Sequence, residues 1–177
     1  EFVGPLDYLL VEPQLLMNIQ QTYQHKLGRH QHLLNAYQDA INAAEAAGSL
    51  VVVAAGNGDS NGYPMDADNE SPANCQKVLT VSASNESGTK TSWANYGDVV
   101  DVMAPGSNVL TTTCSTLSSC GSNYAYIGVD GTSFAAPIVA AVASLMLSVN
   151  PALTPSELET LIKGSVNTPG YDYYCSI

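Results

Sequence analysis

Leu50-Val51-Val52-Val53-Ala54-Ala55 is a continuous apolar run that stops abruptly at Gly56-Asn57-Gly58. A strand with one face in water alternates apolar and polar residues. A short run without alternation is what a strand covered on both faces requires. Val78-Leu79-Thr80-Val81-Ser82-Ala83 and Val99-Val100-Asp101-Val102-Met103 read as two more strands, set apart by Gly-, Asn- and Ser-rich loops. Helical patterns flank them. Ala36 to Ala47 puts Tyr37, Ile41 and Ala44 on one face, with Gly48 as its stop. A second helix runs from about Ser133 to Val149 and ends at Asn150-Pro151. Thr154-Pro155-Ser156-Glu157 opens a third, because Thr154 and Glu157 form a capping box and Pro155 suits the first helical position. That helix is expected to reach Lys163, with Gly164 as its stop. Helices alternating with buried strands indicate an α/β domain with a mostly parallel sheet. Sites in such sheets gather at the carboxyl ends of strands. Asn57 follows one such end, and Ser133 stands where a loop meets a helix.

Upstream, Leu16, Ile19, Tyr23, Leu27 and Leu34 recur near helical spacing between Pro13 and Asn35, although Gly28 weakens the middle. Composition changes near Ala36. Residues 1–35 are therefore expected to form a helical arm, and residues 36–177 the main domain. The tail from Tyr171 to Ile177 is aromatic and shows no clear element.

The balance of 16 acidic against 5 basic residues gives a formal charge of −11, which argues against nucleic acid as a partner. The apolar run Phe134 to Val149 is interrupted by Pro137, Ser144 and Ser148, so it reads as a buried helix rather than a membrane span. Glu1-Phe2-Val3-Gly4-Pro5 has neither a secretory pattern nor an initiator Met, and the chain is expected to be a processed product or a fragment. The four cysteines, Cys75, Cys114, Cys120 and Cys175, allow three pairings, and Cys114 and Cys120 flank a short polar loop that a disulfide could close. A disulfide implies an oxidising compartment; buried free thiols are the alternative.

Chemistry concentrates in Gly131-Thr132-Ser133-Phe134-Ala135-Ala136-Pro137. A Ser at a helix start has an unpaired backbone N–H beside it, and the helix dipole favours negative charge there. Gly131 permits close approach of a substrate. Read alone, Ser133 is as well explained as a helix cap. The whole string resembles the nucleophile motif of the subtilisin-like serine peptidases. Val51 to Asn57 resembles the strand that leads to that family's oxyanion Asn. Thr91-Ser92-Trp93-Ala94-Asn95-Tyr96-Gly97 and Asp101-Val102-Met103-Ala104-Pro105-Gly106 resemble two further family segments, and all fall in the family order across about residues 36–170.

The resemblance implies a three-layer, subtilisin-like α/β sandwich, incomplete on its amino-terminal side. It implies a secreted serine endopeptidase that acts on peptide or protein substrates. Ser133 is its nucleophile and Asn57 its oxyanion donor, supported by Gly131 and Thr132, with Ala54, Ala55 and Gly56 as one wall of the substrate pocket. Loss of one such donor in subtilisin lowers turnover by about 10²–10³, a magnitude that belongs to that enzyme.

The family's Asp-Ser/Thr-Gly and His-Gly-Thr contexts are absent. Asp7 is followed by Tyr8, His25 by Lys26, His30 by Gln31 and His32 by Leu33, so these residues are not expected to form a triad. A Ser hydroxyl is a poor nucleophile until a base takes its proton. The chain is therefore expected to be inactive alone, and to need the missing amino-terminal half or to self-associate. A non-catalytic module that binds peptides or a partner is the alternative. No cofactor is expected. Asp59, Asp66, Asp68 and Glu70 offer oxygens that suit Ca²⁺, but they form no complete ligand pattern and read more simply as a solvated loop.

Overall fold

The computed structural model describes residues 34–114 and 124–166. The chain divides into two compact units, Glu1–Ala36 and Tyr37–Ile177; the second carries everything that follows. The expected arm over residues 1–35 lies outside the described residues except for its last two positions, and the aromatic tail and the loop between Cys114 and Cys120 lie outside them too.

Three strands, β1 (Val51–Ala54), β2 (Val78–Ser84) and β3 (Val102–Pro105), form a parallel sheet in the order β1-β2-β3. All seven residues of β2 are buried. Leu79, Val81 and Ala83 pack on one side with Ala135, Val139 and Ala143 of helix α2 (Thr132–Val149) and Ile162 of α3 (Pro155–Ser165). Val78 points the other way and packs with Val53 and with Ile41 of α1 (residues 34–46). On that second side, the Thr80 and Ser82 hydroxyls donate to the carbonyls of Ala73 and Asn95 at 2.8 and 2.7 Å. Helices on one face, sheet, and helix plus loops on the other make the expected three layers. Each large apolar side chain buried in this way contributes about 1.5–3 kcal/mol. The two hydroxyls are tolerated because each has a partner.

The third strand starts at Val102 instead of Val99. Val100 N–H donates to Gly97 O, which folds the chain into a turn, and Val99 and Val100 pack sideways against Ala55, Ala67 and Ala73. Asp101 then ties this end to the sheet, since its N–H donates to Thr80 O and its carboxylate accepts from Thr80 N–H.

Helix α1 docks through Ile41 as expected, with Ala44 half-buried, but Tyr37 departs from the expected face. Tyr37 is 44% exposed, whereas Gln38 exchanges hydrogen bonds with the Gln76 backbone, Ile41 is buried and Glu45 pairs with Lys77. Its stop is as expected: Gly48 has φ +86°, and Gly48 and Ser49 return N–H bonds to Glu45 and Ala44. Helix α3 has the capping box at Thr154 and Glu157 but continues through Gly164 to Ser165. A Cβ at Gly164 would meet nothing within 4 Å, so that site imposes no break.

An antiparallel ribbon, β4 (Val109–Cys114) and β5 (Tyr124–Val129), was not expected from the sequence. Leu110 and Tyr126 are more than 70% exposed, so no buried face imposes an alternation to read.

Helix α2 is long and apolar enough, by length and composition, to cross a membrane, with a mean hydropathy of 1.9. Here it lies against β1, β2 and β3 instead. Only 28% of it is buried. Val142, Leu145 and Val149 face outward and line, with Met146, Leu153 and Leu161, an open apolar depression of about 500 Å³.

Candidate active site

The chain leaves β1 still paired, since Ala55 N–H donates to Val81 O at 2.9 Å. It then turns at Gly56, where φ is +105° and a Cβ would lie 2.3 Å from Asn95 Nδ2. Both conditions demand glycine. Asn57 follows and is exposed. Its Oδ1 accepts from the Thr132 N–H and from the Thr132 hydroxyl, each at 2.8 Å. Thr132 is fully buried, and its hydroxyl oxygen also accepts from Gly56 N–H at 3.2 Å. A backbone N–H can only donate. The carboxamide oxygen of Asn57 therefore faces Thr132, and its NH₂ group is turned away toward the open side.

Gly131 is the N-cap of α2 and supplies no side-chain cap. Asn57 satisfies the first N–H of the helix from across the fold instead, as a cap residue does. Gly131 N–H donates to Gly106 O at 2.8 Å, and Gly106 N–H donates to Ser84 O at 2.9 Å. Gly106 must be glycine, because a Cβ there would sit 2.5 Å from the Ala83 methyl. The turn bearing Ser133 is thus fastened to the carboxyl ends of β2 and β3, and Asn57 stands past the carboxyl end of β1. This is the edge where parallel sheets place their ligands.

Ser133 is the second residue of α2 and is exposed. Among the described residues its hydroxyl has no hydrogen-bond partner. Its N–H belongs to the first turn, where no intrahelical acceptor exists. Two donors, the Asn57 amide and the Ser133 N–H, thus flank a helix N-terminus that favours negative charge. Of the segment expected as a pocket wall, Ala54 and Gly56 are half-buried, while Ala55 is 1% exposed and packs inward with Ala67 and Ala73. Any wall built here presents the Ala55 backbone and not its methyl. Asp7 and all three histidines lie outside the described residues.

Asp59, Asp66 and Asp68 of the acidic loop use their carboxylates internally. Asp59 accepts the N–H groups of Tyr63 and Asn61, which hold its carboxyl below the usual range. Asp66 accepts from Asp68 N–H, and Asp68 from Val99 N–H. Among the described residues no group of three metal-ligating side chains converges. Cys75 is a free, half-buried thiol whose pKa burial pushes up.

Reading the sequence missed Asn95, which is 2% exposed and bonded to both sides of the Asn57 turn. Only its place in the segment 91–97 marked it, because its partners are scattered along the chain.

Known proteins resemble this chain in sequence and in fold. The chain is 45% identical over 134 residues to the extracellular protease of Xanthomonas campestris pv. campestris, covering 75% of this chain and 22% of that protein. It is 35% identical to subtilisin-like protease 1 of Pseudogymnoascus destructans, covering 78% of this chain and 33% of that one. The chain therefore spans about a fifth to a third of these relatives. A solved protease from Pseudoalteromonas arctica superposes with a TM-score of 0.68 at 36% identity, over 78% of this chain and 41% of that one. A cold-adapted subtilisin-like serine proteinase gives 0.60 at 33% identity, over 72% and 42% of the two chains. The profile of the subtilase family matches residues 13–174, so the similarity begins inside the stretch expected not to match. On that match, which spans most of its length, the chain belongs to the subtilase family.

Proposed function

We propose that this chain is the nucleophile-bearing part of a secreted serine endopeptidase. The observation that carries the reading is the pair of hydrogen bonds by which Thr132, the neighbour of Ser133, orients the Asn57 amide. In the reaction, Ser133 Oγ attacks the carbonyl carbon of a peptide bond. The carbonyl oxygen becomes an oxyanion, and Asn57 Nδ2–H and Ser133 N–H stabilise it. Donors fixed in advance favour this state over the ground state, since nothing must reorganise as the charge appears. Collapse expels the amine, which takes up the proton that Ser133 gave to its acceptor, and leaves an acyl-serine, which water then hydrolyses. Gly131 admits the substrate backbone, Thr132 holds Asn57, and the backbone at Ala54, Ala55 and Gly56 borders the residue before the cleaved bond.

The Ser133 proton needs an acceptor, and no residue of this chain stands in the family context for one. The chain alone is therefore inactive in this reading, and its catalytic part comprises at least residues 36–177. Secretion follows the relative named as extracellular. Among the described residues α2 has an uncovered face and β1 an unpaired outer edge, and these are where further subtilase elements, or a second copy, would pack. A second reading, a non-catalytic module that binds peptides, is favoured by the missing Asp and His contexts.

The test is cleavage of a peptide library by the pure chain, alone and mixed with the part of the Xanthomonas protease outside the aligned stretch. Cleavage only in the mixture, abolished by Ser133→Ala, is the expected result. Cleavage by the mixture that survives Ser133→Ala removes Ser133 as nucleophile. Ser133-dependent cleavage by the chain alone overturns its predicted inactivity. Peptide binding with no cleavage in either arm favours the second reading.

A further inference from the structure

We propose that Asn95 is the positioning residue of the oxyanion loop, acting through Asn57. Its side-chain Nδ2 donates to Ala55 O at 2.9 Å, and its Oδ1 accepts from Gly58 N–H at 2.8 Å and Met65 N–H at 2.9 Å. Its backbone N–H donates to Gly56 O at 3.0 Å, and its carbonyl accepts from the Ser82 hydroxyl at 2.7 Å. One buried residue thus holds the chain on both sides of residue 57 and refers it to the central strand. Asn57 itself makes no such bond to the loop; its oxygen is spent on Thr132. With the flanking backbone immobile, only the Asn57 side-chain torsions remain, and Thr132 sets those. The φ of +105° at Gly56, where a Cβ would overlap the Asn95 amide, belongs to the same device. Removing the Asn95 amide leaves buried N–H and C=O groups unpaired and releases the turn, so the direction of the Asn57 NH₂ is lost while the sheet stays intact.

The proposal rests on the peptidase reading for what the held amide is for. Its test needs no catalysis, so failure of that reading, seen as no Ser133-dependent cleavage, leaves this result interpretable. The measurement is amide hydrogen exchange and the Asn57 side-chain NH₂ resonances in the ¹⁵N-labelled full chain. Asn95→Ala is expected to speed Thr132 exchange about tenfold and to move the Asn57 NH₂ pair toward free-amide shifts, with Leu79 and Val81 in β2 unchanged. Asn95→Asp keeps the size and both accepted bonds but replaces the donor to Ala55 O by a carboxylate oxygen, which can only accept. It is expected to spare Gly58 and Met65 and to speed Thr132 about threefold, and it serves alone if Asn95→Ala does not fold. Unchanged Thr132 and Asn57 signals overturn the proposal. So does an equal acceleration in β2, which would make Asn95 a general support of the fold.

Discussion

Asn57 and Thr132 are 75 residues apart, yet one carboxamide oxygen accepts both the N–H and the hydroxyl of Thr132. The bond does two jobs. It caps a helix whose own N-cap is glycine, and it fixes which end of the Asn57 amide faces solvent. The first is structural, the second is the basis of the proposed chemistry, and they are separable by mutation.

Thr132→Val tests the share of the hydroxyl, since the N–H cap stays in place. Valine keeps the shape but removes the hydroxyl that bridges Gly56 N–H and Asn57, leaving Gly56 N–H without its acceptor in a closed site. A loss of about 1–3 kcal/mol in urea unfolding is expected. Thr132→Ser should recover most of it.

Glycine substitutions should rank by space. Gly62 has φ +79° with nothing near a built Cβ, so Gly62→Ala should cost only the left-handed penalty of about 1–2 kcal/mol. Gly56→Ala adds a collision with the buried Asn95 amide, worth a further ~1–3 kcal/mol of overpacking. Equal costs in thermal unfolding would contradict the close approach described here.

Acid and alkali should act at opposite ends of one helix. The Thr154 N–H and hydroxyl, bonded to Glu157, hold its carboxyl below the usual range. A lowered folded value means that the stabilisation is complete above the ordinary Glu pKa and is lost as pH falls through the lowered one. Glu157→Gln should flatten that acid limb, and Thr154→Ala should cost about 1 kcal/mol. Lys163 is raised, chiefly by its hydrogen bond to Asp101. Its contribution is complete below the ordinary Lys pKa and disappears as pH rises through the raised one. Lys163→Met should therefore remove an alkaline loss, as read from urea midpoints against pH.

The open face of α2 predicts association. Leu145 and Val149 are 68% and 87% exposed, on a patch of the kind that drives self-contact. Leu145→Glu with Val149→Lys should raise the monomer fraction in sedimentation and lower binding of a hydrophobic dye. No change in either would mean that this face is already covered.

What could be read in advance followed local chemistry. The buried run at 50–55, the capping box at 154–157 and the helix start at Ser133 each carry their signal within a few residues. The β4–β5 ribbon has no buried face to imprint a period on its sequence. The start of β3 depends on where Val99 and Val100 find partners, and the part that Gln38 and Glu45 play in docking α1 on Gln76 and Lys77. Asn57 was legible through its motif, but its orientation needed Thr132, and the hold on its loop needed Asn95, 38 residues further on.

The most direct measurement is the hydrogen-bond scalar coupling between Thr132 ¹⁵N and Asn57 ¹³Cγ in the doubly labelled chain. This account predicts a cross-peak linking the two, lost in Asn57→Ala. Its absence in a folded sample, with Thr132 N–H exchanging as a free amide, would contradict the placement of Asn57 beside Ser133.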